Sequence, residues 1–279
     1  MNTDVRVVNA FTINGNGGNP AGVVLDADNL NTRQMQKIAH RVGASETAFV
    51  SKDDKSTCRF RFFTPTVEVG LCGHATIAAW AIMLQKGLFG EGEYTQPNLD
   101  GVVKVILRRD GRVYMQQPAQ ALKETVFTET VVSALSIQSR DLDNRLPPQI
   151  MQKQLMIALK SETTLNSIGP NFDLMSSISR QHDFYGFHVF MLPVDGDTTA
   201  HVRNFCPIVG INEDAATGTA NGSLLDYLRI KNVLQQSLEY KLEQGKAMGR
   251  RSWLYGMFRN NRVWIGGEAS IKDDRTVRS

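Results

Sequence analysis

The sequence predicts an α+β protein of two pseudo-symmetric halves, each a mixed or antiparallel sheet wrapped around one central apolar helix. Three observations carry this expectation. The first is an internal repeat. Phe63-x-Pro65 matches Phe205-x-Pro207, and Gly73-His74-Ala75 matches Gly218-Thr219-Ala220, roughly half the chain further on. The second is the helical pattern after each copy. The one after Gly73 runs Ile77-Ala78-Ala79-Trp80-Ala81-Ile82-Met83-Leu84 and is apolar all round, as a buried helix must be. The third is the rest of each half, which reads as short β-rich runs punctuated by turn residues.

In order, Val5 to Phe11 is β-branched and aromatic and reads as a strand. Asn14 to Pro20 is a glycine-rich loop. It looks superficially like a dinucleotide loop, but Ala21 to Leu25 after it reads as a strand, which is the wrong order for a Rossmann fingerprint. Asn31 caps a helix with Met35, Ile38, Ala39 and Val42 on one stripe, ended by Gly43. Ser45 to Val50 and Cys58 to Phe63 are strands, the second alternating Arg59 and Arg61 with Phe60 and Phe62. Gly87 closes the apolar helix. Val102 to Leu107 and Val113 to Gln117 form a hairpin across Asp110-Gly111. Pro118 marks the end of the first half, so the expected domains are 1–118 and 119–279, with a C-terminal strand that can cross back.

In the second half, Thr128 to Leu135 reads as a helix, and Leu155 to Leu159 and Thr163 to Ile168 as strands. Asp173 is positioned to cap a short helix through Ile178. Phe187 to Leu192 and Ala200 to Phe205 are strands. After the second apolar helix, Ser237 to Leu242, Ser252 to Phe258 and Arg262 to Gly266 form a meander with a turn at Asn260-Asn261. Lys272 to Ser279 is polar and is expected to fray.

Composition narrows the function classes. The 279 residues carry a net charge of +3, 42% apolar and 21% charged residues, ordinary values for a globular protein. Basic spots such as Arg108-Arg109 and Arg250-Arg251 are short and lack aromatic interleaving, against nucleic-acid binding. Ala75 to Gln85 is too short for a membrane span. The start has no signal-peptide pattern, and Cys58, Cys72 and Cys206 form no paired motif, so a reducing cytoplasm is expected. The five histidines show no ligand spacing with nearby Cys or acids, so no metal site is expected.

The repeat also points to a ligand. Glu213-Asp214, then Ala215 to Ala220, then a helix, is how a chain presents backbone N–H groups and a side chain to a small anion. If the two halves fold alike, the helix starts at Gly73-His74 and Gly218-Thr219 would face each other across a cleft. Each would bring about half a unit of positive charge, which favours a carboxylate.

These residues resemble the PhzF-like family, named for the isomerase of phenazine biosynthesis and related in fold to diaminopimelate epimerase. The likeness rests on Gly18 to Val24, Ser45-Glu46-Thr47-Ala48-Phe49-Val50, Phe63-x-Pro65 through Cys72-Gly73-His74-Ala75-Thr76, and Glu213-Asp214-Ala215-Ala216-Thr217-Gly218-Thr219-Ala220, with Gly249 to Ser252 similar to a later family segment. The resemblance implies two epimerase-like domains, no cofactor, a homodimer, and a biosynthetic, cofactor-independent isomerase of a small carboxylate. It implies that Glu46 moves a proton at carbon, that His74 and Asp214 assist, and that Gly73, Gly218 and Thr219 hold the carboxylate. Asn19 shapes a loop beside the site and can contact the ligand. Two positions depart from the family pattern: Ala215 stands for a frequent proline, and Thr219 for a frequent serine.

Each site residue has a structural alternative. Glu46 could be a strand-end acid paired with Arg41, His74 a satisfied core histidine, and Asp214 a helix cap. A two-base amino-acid racemase of the related fold would need two thiols. The first position is Cys72, but its repeat-mate is Thr217, whose hydroxyl is a poor carbon base. Cys72 and Cys206 are then small buried residues. A non-catalytic small-molecule binding protein is the alternative outside enzymes.

Overall fold

The computed structural model describes residues 2–53, 57–119, 121–125, 128–234 and 237–278. The fold is mixed α+β and dominated by strands. By its contacts the chain divides into two units, Met1–Gln116 with Gly266–Ser279, and Gln117–Ile265. No helix among the described residues is long and apolar enough to cross a membrane.

Unit 1 contains β1 (Asn2–Thr12), β2 (Asn19–Val24), α1 (Thr32–Val42), β3 (Thr47–Ser51), β4 (Arg59–Phe63), β5 (Glu68–Val69), α2 (Gly73–Gln85), β6 (Gly92–Asn98), β7 (Gly101–Leu107) and β8 (Val113–Gln116). The ladder β1–β2–β3–β4–β5 is antiparallel except for β2–β3, which is parallel because α1 carries the chain back between them. Asn31 caps α1 as expected. Its side chain accepts from Gln34 N at 3.0 Å while its own N–H donates to Gln34 Oε1 at 2.9 Å. Gly43 ends the helix at φ 67°. The stripe Met35, Ile38, Ala39 and Val42 packs with Val5, Val7, Val24, Phe49 and Phe63 of the sheet.

Helix α2 is buried from Ala75 to Met83 and contacts β1, β2, β3, β7 and β8, so strands enclose the all-round apolar pattern. Trp80 stacks between Phe60 and Tyr94, and its indole N–H donates to Gln96 Oε1 at 2.8 Å. Gln96 belongs to β6, a strand that pattern alone does not reveal. Its residues are mostly polar and it contains Pro97, yet pairing with β7 and the Trp80 bond hold it in place.

Unit 2 contains β9 (Leu122–Thr125), α3 (Thr128–Leu135), β10 (Gln149–Met151), β11 (Gln154–Leu159), α4 (Glu162–Ser167), α5 (Phe172–His182), β12 (Gly186–Met191), β13 (Ala200–Cys206), β14 (Ile211–Asp214), α6 (Gly218–Ile230), β15 (Tyr240–Gln244), β16 (Ser252–Arg259) and the first residues of β17 (Arg262–Arg278). Strands β9 to β13 pair in order, followed by β15 and β16, and the end of β13 also pairs with β14. The sheet is buried on both faces. Leu155, Ile157 and Leu159 with Phe187, Val189 and Met191 pack under α3, α4 and α5. The alternate residues point the other way, where Phe190 meets Tyr227 of α6 edge-on.

Four expectations need correction. Residues 163–168 are not a strand, because Ser161 caps α4 by accepting from Thr164 N at 3.1 Å. The cap of α5 is Asn171, not Asp173, and the helix runs on to His182. The strand expected from Ser237 starts at Tyr240 and extends to Gln244, with residues 235–236 outside the described set. The polar tail does not fray, because β17 pairs antiparallel with β1 from Glu268 opposite Thr12 to Arg278 opposite Asn2. Its backbone ladder does what its polar side chains do not announce. The turn before β17 has Asn260 and Asn261 at φ 52° and 55°, the pattern of a tight hairpin turn.

Candidate active site

In unit 1, two segments deliver one polar group. Glu46 stands just ahead of β3, and its carbonyl accepts from Gly22 N of the neighbouring β2 at 2.9 Å. His74 lies in the first turn of α2, after an N-cap, Cys72, whose side chain makes no capping bond. Glu46 Oε2 is 3.3 Å from His74 Nε2, with the two side chains 19% and 12% exposed. That oxygen is shielded from solvent and has no hydrogen bond among the described residues. The pair is therefore adjacent rather than locked, which suits groups that exchange protons with a third molecule. Ser45 Oγ lies 3.3 Å from the same Nε2, and Cys72 Sγ 3.5 Å from Nδ1. Glu46, Cys72 and His74 each offer a donor atom within 4.8 Å of the others, so this group is also chemically able to hold a metal ion.

In unit 2, Asp214 ends β14 and its Oδ2 accepts from the Thr217 hydroxyl at 2.5 Å. Thr217 is the N-cap of α6 and, like Cys72, makes no capping bond with its side chain. Its hydroxyl accepts from Asn204 Nδ2 at 3.1 Å and Gln244 Nε2 at 3.0 Å. Gln244 Nε2 also donates to the Asp214 carbonyl at 2.8 Å, and Gln244 Oε1 accepts from Thr217 N and Asn221 Nδ2. Behind this network His188 is fully buried, with Nδ1 3.0 Å from Asn204 Oδ1. Burial lowers the His188 pKa to about 4, against the opposing pull of its Asn204 and Asn221 contacts, and leaves the ring neutral. Burial pushes the Cys206 thiol up to about 12; the Asn204 amide opposes this and the Asp214 charge adds to it.

The structure brings Glu46 and His74 together and sets Asp214 beside Thr217, close in sequence to Gly218 and Thr219. Gly73 and Gly218 are the first residues of two helices of equal length, 13 residues each, whose N-caps Cys72 and Thr217 occupy matching places in the repeat. Thr219 is exposed and Gly218 buried. Asn19 is buried at the start of β2, opposite Ala10. Gly18 before it has φ 80°, and a Cβ there would sit 2.5 Å from the Ala10 carbonyl, so that turn requires glycine. Arg41 is not the partner of Glu46; it donates to the Arg278 carbonyl. The two acids Glu213 and Asp214 have separate partners, since Glu213 forms a two-bond ion pair with Arg203 at 2.9 and 2.8 Å. Sequence reasoning missed Asn204, His188, Asn221 and Gln244. They come from β12, β13, α6 and β15, and no local spacing links them. The repeat does mark Thr217, through its match to Cys72.

Comparison with known proteins shows the family and the fold. The family described as PhzC-PhzF, phenazine biosynthesis-like protein, matches residues 8–275. The uncharacterized isomerase YddE of Escherichia coli K12 is 37% identical over 262 residues, covering 90% of this chain and 88% of that protein. A phenazine biosynthesis protein of the PhzF family from Bacillus anthracis superposes with a TM-score of 0.90 at 27% identity, over 100% of both chains. A hydroxyproline epimerase from Agrobacterium vitis shares the fold, with a TM-score of 0.65 at 11% identity over 99% of this chain and 92% of that one. The chain belongs to the phenazine biosynthesis-like PhzC-PhzF family and is an enzyme of its isomerase type.

Proposed function

We propose that this enzyme moves a proton within a small carboxylate-bearing metabolite without a cofactor, using Glu46 as the general acid and base. The observation that carries the reading is the buried, unbonded Glu46 Oε2 at 3.3 Å from His74 Nε2. A carboxyl held this way can take a proton from carbon and return it at another position, and a neighbouring imidazole can donate to or accept from the intermediate. Asp214 is assigned the assisting role. The helix starts at Gly73 and Gly218, with the Thr219 hydroxyl, are assigned to the substrate carboxylate, since neither first turn is capped by a side chain. Asn19, buried at the start of β2, is assigned to anchoring the loop that precedes it on the ligand side.

The two-thiol racemase reading is weaker on two counts. Thr217, which matches Cys72, has its hydroxyl committed to Asp214, Asn204 and Gln244. The other nearby thiol, Cys206, with its pKa raised to about 12, is not a thiolate at neutral pH.

The test is isomer interconversion followed by NMR across a panel of small α-amino and unsaturated carboxylic acids. At least one acid should be converted by the wild type. Asp214→Asn should slow that conversion by about 10²-fold or more, the usual weight of a positioned acid–base group. Conversion at the wild-type rate by Asp214→Asn would remove Asp214 from the mechanism.

A further inference from the structure

A second cluster of donor atoms in unit 2 plays no part in the proposed chemistry. His201 of β13 and Glu243 of β15 are direct partners in a parallel ladder, so their side chains leave the sheet on the same face. Glu162, the first residue of α4, reaches the same point. His201 Nδ1 is 3.3 Å from Glu162 Oε1 and 3.7 Å from Glu243 Oε1, and the three donor atoms lie within 4.8 Å of one another. A tetrahedral ion with bonds of about 2.0–2.2 Å spaces its ligand atoms about 3.3–3.6 Å apart, close to what is found here.

A metal accounts for this better than a simple ion pair. Glu243 is 1% exposed, and both its Oε1 and His201 Nδ1 are shielded from solvent without a hydrogen bond among the described residues. A proton on Nδ1 aligns with neither carboxylate oxygen, whereas a cation among the three lone pairs would engage all of them. The other Glu243 oxygen accepts from Arg251 Nε at 2.5 Å, the kind of outer contact that fixes a ligating carboxylate. Lys246 Nζ contacts Glu162 Oε1 at 2.5 Å, but its side chain is 50% exposed and can withdraw into water at little cost.

We propose that Glu162, His201 and Glu243 form a binding site for a divalent transition-metal cation of the zinc class, with water completing the coordination. The donors come from three separate elements, which is why histidine spacing along the chain gave no sign of them. Glu243 and the Asp214 partner Gln244 are consecutive on a strand and point to opposite faces, so this site is distinct from the Asp214 network.

The test uses metal-stripped full-length His74→Ala protein, in which the competing donor group of unit 1 has lost its imidazole. Titration with zinc chloride by calorimetry should show one equivalent bound and a raised Tm. Adding His201→Ala should weaken binding at least about tenfold. Adding Lys246→Ala should leave binding equal or tighter, because a competing cation is gone. In protein labelled with ¹⁵N-histidine, zinc should shift the His201 ring resonance, a readout that does not depend on a further variant folding. Absence of binding, binding unchanged by His201→Ala, or an unmoved His201 resonance would each overturn the site.

Discussion

At the scale of single residues, the two conspicuous acidic motifs serve different ends. Glu213 is absorbed by Arg203, whose guanidinium also donates to the carbonyls of Leu165 and Ile168 and lies over the Phe205 ring. Asp214, one residue on, turns instead to Thr217 at the start of α6. Glu46 is legible as a candidate site residue only through the Ser-Glu-Thr motif. Its approach to His74 of α2, 28 positions on, is a contact that residue order does not display. His188 was the least legible of all. A histidine inside a run of strand residues gives no sign that it will be fully buried against Asn204. Its pKa falls from 6.5 to about 4 on folding, so between those values the unfolded chain binds more protons than the native one. The stability that depends on a neutral His188 is therefore complete above about pH 6.5 and declines as the pH falls toward 4, by about 3 kcal/mol. Urea unfolding at pH 7 and pH 4 should show that decline, and His188→Gln should remove most of it. An unchanged acid limb in His188→Gln would assign the loss to other groups.

At the scale of elements, helices were legible where a cap and a stripe agreed. In α1, Asn31, the Met35–Val42 stripe and Gly43 all point the same way, and the observed boundaries follow them. Asn31→Ala breaks the reciprocal bonds with Gln34 and should cost about 1 kcal/mol in urea unfolding, with the m-value unchanged. A cost near zero would mean that packing alone holds the helix start. The apolar helix α2 was legible for the opposite reason, since no polar face remains to be solvated, whereas α6, which carries Asn221, Ser223 and Asp226, was legible as the repeat-mate of α2. Strands were legible where apolar and polar residues alternate, as in β4, or where the run is almost wholly apolar, as in β12. They were not legible where the ladder alone fixes them. β6 and the distal part of β17 are polar strands held by β7 and β1 respectively, and partner strands are a property of the fold rather than of the segment. Residues 163–168 show the converse error: threonine and leucine suggest a strand, but the Ser161 cap starts a helix.

At the scale of the whole molecule, the repeat proved the most informative feature of the chain. Each copy ends a strand, makes a short return strand, and starts a 13-residue buried helix behind a cap residue that makes no capping bond. The copies differ where chemistry is assigned: Cys72 touches His74, whereas Thr217 is tied into a network with Asp214, Asn204 and Gln244. The family and the isomerase class rest on the matches over residues 8–275 and on the relative of 37% identity. The identity of the proton carrier rests on one side chain. The direct measurement is deuterium wash-in: a converted carboxylic acid is incubated in D₂O with wild-type enzyme and with Glu46→Gln, and label at carbon is followed by NMR. The account predicts rapid incorporation by the wild type and a rate about 10²- to 10⁴-fold lower for a folded Glu46→Gln protein. Equal incorporation by the two would contradict it.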